Sequence, residues 1–176
     1  MNKHIKNFLE TIDNGEQTGS LRWKTSKGDS DFFNVCAKHL NSLGVKLVLD
    51  MACGKGEFVN ICNTYPGIVA YGITPDVDEG DFFYNGTFES ILTNQNLLND
   101  VKFDCISIQN ILHGKGWKDD ELIELLNFMK KHSKYIVISK PINNPNIELD
   151  GLKEIHNFGG SHGNKTVFHR IYEVIE

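Results

Sequence analysis

Apolar positions recur at helical spacing over residues 4–12, where Ile5, Phe8, Leu9 and Ile12 share one face, and the pattern predicts a short amphipathic N-terminal helix. After a polar stretch holding Gly15, Gly19 and Gly28, the residues Phe32, Phe33, Cys36, Leu40 and Leu43 form the buried stripe of a second helix. Asp29 or Ser30 is expected to cap its start, because a side-chain oxygen there satisfies free backbone N–H groups, and Gly44 to end it. The period then changes. Residues 45–50 are a β-branched, apolar run of the kind that makes a strand buried on both faces, and 68–73, 103–108 and 135–139 repeat it. Residues 119–132, between the last two runs, are helical by period. Strands alternating with helices predict an α/β fold, a doubly wound and mostly parallel sheet. Residues 152–158 and 166–175 read as two extended runs joined by the loop 159–164, so the sheet is expected to finish in a C-terminal antiparallel hairpin. No repeat, low-complexity stretch or linker intervenes. Residues 1–176 are therefore read as one domain, with N-terminal helices over 1–44 and the sheet core over 45–176.

Composition narrows the class. In 176 residues, a hydrophobic fraction of 40% and a charged fraction of 23% describe a soluble globular chain, large enough to fold without disulfide or metal staples. No apolar run approaches the ~20 residues of a membrane span, so no membrane partner is expected. With 18 basic and 23 acidic residues the net charge is −5, which leaves no chain-wide basic surface for a nucleic-acid backbone. The N-terminus has no apolar segment of the secretory type, and Cys36, Cys53, Cys62 and Cys105 are scattered without a Cys-x-x-Cys pair. Reduced thiols in a cytoplasmic protein are the expectation.

The chemistry concentrates in Asp50-Met51-Ala52-Cys53-Gly54-Lys55-Gly56-Glu57-Phe58, which joins the first strand to a helix. Glycines there let a ligand approach the backbone at the carboxyl edge of the sheet, and the N–H groups opening the helix can hold an anion. A dinucleotide fingerprint would want a third glycine near Val59, and it is missing, which weakens NAD or FAD.

Val48-Leu49-Asp50-Met51-Ala52-Cys53-Gly54-Lys55-Gly56 resembles the first motif of the class I S-adenosylmethionine-dependent methyltransferases: strand, acidic residue, two residues, then Cys-Gly-x-Gly. The run from Phe103 through Gln109 and Asn110 to His113 is similar to that family's fourth strand and following loop, and the closing hairpin also fits. The resemblance implies a Rossmann-like methyltransferase fold and S-adenosylmethionine as cofactor. By it, Gly54 and Gly56 line the methionine part of the cofactor, Ala52 belongs to the same turn, and Asp50 orients the loop and approaches the amino group.

Two positions depart from the family pattern. The acid that ends the second strand and bonds the ribose hydroxyls is replaced by Thr74, with Asp76 or Asp78 as substitutes further on. In Gly86-Thr87-Phe88-Glu89, Thr87 stands in place of the acid facing the adenine, and Phe88 can supply an aromatic face. The stretch before Asp81-Phe82-Phe83-Tyr84 is also too short for a crossover helix, so either that helix is lost or the third strand is vestigial.

Methyl transfer mainly requires alignment, with a base for some acceptors. His113 follows the fourth strand and is the candidate base, with loop packing as the alternative; Asn110 and Gln109, on the same turn, can orient an acceptor, and Gln109 also joins the cofactor-binding set. The expected acceptor is a small molecule. DNA bases are disfavoured, because the fourth strand is not followed by Asp/Asn-Pro-Pro-Tyr. RNA is disfavoured too: Lys140, with Lys24 or Lys27, matches the lysines of the ribose 2′-O-methyltransferase tetrad, but Gln109 and Asn110 replace its Asp and Arg170 its Glu. Arg22-Trp23-Lys24 either covers the ligand or plugs the core. Lys130, Lys131 and Lys134 read as a solvated helix end, and His156, His162 and His169 lack metal-ligand spacing, so no metal is expected.

Overall fold

Runs of Val, Leu and Ile with no polar face must be covered on both sides, and the computed structural model shows how. It describes residues 1–13, 27–74, 81–109, 119–139, 149–162 and 165–175. The elements are α1 (Lys3–Ile12), α2 (Lys27–Ser42), β1 (Leu47–Met51), α3 (Glu57–Asn63), β2 (Val69–Thr74), β3 (Phe83–Asn85), α4 (Phe88–Asn94) with a short 3₁₀ turn (Gln95–Leu98), β4 (Phe103–Ile108), α5 (Asp119–His132), β5 (Ser133–Ser139), β6 (Leu152–His162) and β7 (Lys165–Val174). The seven strands form one sheet in the order β3-β2-β1-β4-β5-β7-β6. Strands β1 to β5 run parallel, and β7 lies antiparallel to both β5 and β6.

Alternation along each strand sorts the core into two layers. Leu49, Met51, Tyr71, Ile73, Ile106, Ile108, Ile136 and Ile138 point to the layer covered by α1, α4 and α5. Val48, Ala70, Cys105, Tyr135, Val137 and Ile171 point to the layer under α2 and α3. A ten-residue helix such as α1 is marginal alone. Its face of Ile5, Phe8, Leu9 and Ile12 is almost wholly buried, at about 1.5–3 kcal/mol per large side chain. Phe8 stacks on Phe128 of α5, and the Asn2 side chain caps α1 by accepting from the His4 N–H at 2.8 Å. On the other layer α2 reaches the outer hairpin, setting Phe32 against Phe158 and His39 against His156.

Two sequence expectations are corrected. Helix α2 starts at Lys27, so Asp29 and Ser30 lie within its first turn rather than ahead of it. The hairpin strands run through Gly159–His162, leaving only positions 163 and 164 between them; backbone pairing, not side-chain type, decides that boundary. The third strand is real but three residues long, paired with β2 from Gly72 opposite Phe83 to Thr74 opposite Asn85. Only eight residues separate β2 from β3, fewer than a crossover helix needs.

Candidate active site at the carboxyl edge of the sheet

The turn after β1 is fastened to the end of β2. Ala52 and Cys53 both donate their N–H groups to the Ile73 carbonyl, at 2.6 and 3.1 Å, and Ala52 holds a left-handed backbone at φ 65°. Its role in the turn is thus visible as an anchor. Gly54 and Gly56 follow at φ 56° and 76°, a region where a side chain costs roughly 1–2 kcal/mol. Their surroundings differ. Among the described residues a Cβ on Gly54 would meet nothing within 4 Å, which leaves the backbone there open to a ligand, whereas a Cβ on Gly56 would strike the ring of Phe83. That ring also lies 3.0 Å from where a Cβ on Gly72 would stand. Phe83 therefore wedges β3 against the glycine turn, a role that sequence reading missed; the available signal was an aromatic in register with a strand glycine.

Parallel register sets Asp50 opposite Ser107 on the α2/α3 face. Asp50 is 2% exposed, and burial pushes its carboxyl up to about 7, opposed by a hydrogen bond from the Ser107 side chain that lowers it. Ser107 in turn accepts from the Gln109 side-chain N–H at 2.8 Å. Two oxygens at this edge, Asp50 Oδ1 and Gln109 Oε1, are buried without a hydrogen-bond partner among the described residues. The surrounding shell is sulfur: Cys36, Cys62 and Cys105 are buried, Cys53 is partly so, and all four are free. Burial pushes every one of these thiols up, with the nearby Asp50 charge adding to it, so they stay protonated and behave as small apolar groups.

Across the same edge, Thr74 ends β2, buried, and its carbonyl accepts from the Gly86 N–H at 3.2 Å. Thr87 is the N-cap of α4: its hydroxyl accepts from the Ser90 N–H at 3.1 Å while Ser90 Oγ accepts from the Thr87 N–H at 3.0 Å. Helix capping thus accounts for a threonine at that position. Phe88 opens α4 and packs against the α1/α4/α5 core. The structure thus brings Asp50, the glycine turn, Gln109 and Thr74 to one edge, with Thr87 and Phe88 just beyond β3. Asp76, Asn110 and His113 lie outside the described residues, as do Asp78, Arg22, Trp23, Lys24 and Lys140. Arg170 pairs with Glu154 at 3.5 Å on the outer hairpin. His156 sits against His39 and Phe158, and His169 stacks on Phe32. Among the described residues no group of three or more His, Cys, Asp or Glu could hold a metal ion, and no helix is long and apolar enough to cross a membrane.

This architecture, with helices on both faces of a sheet ordered 3-2-1-4-5-7-6 and an antiparallel β7, is the Rossmann-like fold of the class I S-adenosylmethionine-dependent methyltransferases. Solved structures of that class match along the whole chain. Magnesium protoporphyrin IX methyltransferase from Synechocystis, solved with bound S-adenosylmethionine, is 12% identical with a TM-score of 0.57, covering 98% of each chain. The O-methyltransferase TomG from Streptomyces achromogenes, also solved with S-adenosylmethionine, is 8% identical with a TM-score of 0.57, covering 100% of this chain and 91% of its own. A candidate RNA methyltransferase from Pyrococcus horikoshii is 13% identical with a TM-score of 0.58 and full coverage of both chains. No family model matches the sequence, and no curated protein matches it.

Proposed function

We propose that this protein is an S-adenosylmethionine-dependent methyltransferase acting on a small-molecule acceptor. One observation carries the reading: the buried Asp50, its Oδ1 unpartnered among the described residues, stands beside a left-handed glycine turn at whose Gly54 none of those residues would meet a Cβ, at the carboxyl edge of the sheet. A carboxyl oxygen without a donor suits an amino group, and an open glycine backbone suits a ligand laid across it. The residues present therefore fit the cofactor. When bound, it supplies an activated methyl group on a sulfonium, so the protein has mainly to bind and align. Asp50 and Gln109 hold the amino-acid end, Gly54 and Gly56 let it approach, and Thr74, Asp76, Thr87 and Phe88 serve the nucleoside. On the acceptor side Asn110 orients the nucleophile and His113 takes its proton at a ring nitrogen. The neighbours solved with S-adenosylmethionine support the cofactor, and TomG supports an oxygen acceptor.

Transfer of labelled methyl from S-adenosylmethionine to a small-molecule extract tests the reading. Turnover in the wild type that drops roughly a hundredfold in His113→Ala, with cofactor affinity within a few-fold, fits the base. Unchanged turnover removes His113 from the mechanism. A second reading, a binding protein without transfer, draws on a specific observation: Thr74 brings no carboxylate to the ribose position, and the Thr87 hydroxyl is engaged in capping α4. It gains if S-adenosylhomocysteine binds while labelled methyl never leaves S-adenosylmethionine.

A further inference from the structure

A strand of period two would put Glu154 and His156 of β6 on the same face. The register against β7 breaks between them: Glu154 stands opposite Tyr172, but His156 stands opposite Ile171. Tyr172 belongs to the α1/α4/α5 core and Ile171 to the core under α2 and α3, so the extra residue, Ile155, turns His156 over to the face that α2 covers. There it meets His39. The two half-buried rings lie 3.6 Å apart between centroids, with the Phe158 ring against both. The other charged groups on these elements are directed elsewhere. Glu154 of β6 is paired with Arg170 of β7 at 3.5 Å and accepts from the Asn157 side chain at 3.4 Å, while Lys153 is exposed and level with Glu173 of β7. His169 of β7, opposite Phe158, is stacked on Phe32. On α2, Lys38 is exposed and Cys36 is a buried thiol, and α3 presents Phe58, Val59 and Cys62 to this layer. Burial, and then the His156 imidazole, hold the His39 ring below the ordinary histidine value.

We propose that His39 and His156 form a proton-sensitive latch: with at most one charge between them they hold α2 on the outer hairpin, and a second charge, arriving as pH falls, releases it. The direction follows from linkage. The folded state takes up fewer protons at His39 than the unfolded chain does, so the stability that the latch contributes is present above the unfolded value of about 6.5 and is lost as pH falls through it toward the native value. Rings in contact carry the release toward the glycine turn. Phe158 lies on Phe32 at 6.0 Å between centroids, Phe32 on Phe33 at 5.9 Å, and Phe33 on Phe58 at 5.5 Å. Phe58 is in the first turn of α3, whose N-cap is Gly56. Freeing α2 therefore loosens the helix behind the turn.

The test reads amide hydrogen-exchange protection factors, corrected for intrinsic exchange, in the ligand-free full chain at pH 7.5 and pH 5.5. Wild type, His39→Gln, His156→Gln and the double variant are compared, each with itself at the two pH values, so a constant cost of substitution drops out. Asp50 titrates in the same range but is common to all four. In the wild type the protection of α2 is expected to fall about tenfold on acidification, the equivalent of one pKa unit, with α3 following and β4 and α5 unaffected. Each single variant should hold its α2 protection within about threefold, and the double variant should do no better, because one missing imidazole already breaks the pair. Should a variant fail to fold, NMR titration of the wild-type imidazoles decides: the latch takes up its two protons in separate steps, and two independent titrations at ordinary values overturn it. An equal fall in the variants, or a wild-type fall spread evenly over α2, β4 and α5, overturns the latch as well. A fall confined to α2, with α3 unchanged, overturns its link to the glycine turn.

Discussion

Replacing Asp50 by Asn keeps the shape of the side chain and removes its titration, which makes the buried carboxyl measurable in the free protein. In the folded state burial holds this carboxyl near 7, against about 3.9 for an unfolded aspartate. Between those values the native state retains a proton that the unfolded state has lost. Stability from this group is therefore fully present below the unfolded value and declines as pH rises, at about 1.4 kcal/mol per unit, until the native carboxyl ionises. Over pH 5 to 8 the loss amounts to about 3 kcal/mol. Urea unfolding of wild type and Asp50→Asn across that range isolates the contribution, because all other titrating groups are common to both and cancel in the difference. The stability of the variant relative to wild type should rise by about 3 kcal/mol from pH 5 to pH 8, whatever constant offset the new amide introduces. Parallel curves, separated by the same amount at every pH, would refute the reasoning and place the Asp50 carboxyl in an ordinary solvated or well-paired setting.

The same carboxyl should report the ligand: a cation placed beside it favours ionisation, so S-adenosylhomocysteine binding at pH 6 releases about one proton, read from calorimetry in buffers of different ionisation enthalpy, and at pH 8.5 releases close to none. Phe83→Ala removes the wedge over Gly56, and the expected outcome is a stability loss of about 2–3 kcal/mol together with roughly tenfold weaker S-adenosylhomocysteine binding. A stability loss with unchanged affinity would show that the ring only fills space. Phe8→Ala opens a cavity under α1 and should cost about 3–5 kcal/mol in urea unfolding without altering affinity.

How far the sequence carries the fold depends on what each element is made of. Strand β4 and helix α5 fall on the residues read from apolar pattern alone, since both have strong periodicity and buried faces. Helix α4 leaves little trace: it is seven residues long and only Ile91 is fully buried, so nothing in Gly86-Thr87-Phe88-Glu89 announced Thr87 as a helix cap. The outer hairpin was legible, but its inner ends were not, the glycines suggesting a loop over 159–164 where the backbone continues to pair. At the site, the glycine turn and Asp50 are legible because left-handed turns demand glycine and strands seldom end in an acid without cause. Phe83, Ser107 and the charge state of Asp50 are not. Each depends on what a neighbouring strand brings opposite, and a one-residue change of register would undo it.

If the open glycine turn at the end of β1 receives S-adenosylmethionine, as proposed, a calorimetric titration of S-adenosylhomocysteine into wild type and Gly54→Val will separate the two proteins. A Cβ at Gly54 meets no atom of the described residues within 4 Å, so the variant is expected to fold with a cost of roughly 1–2 kcal/mol from its left-handed backbone, while its side chain enters the ligand's space. The wild type is expected to bind saturably, one to one, and the folded variant at least a hundredfold more weakly. Equal affinity in both proteins, or no heat from the wild type at millimolar ligand, would contradict it.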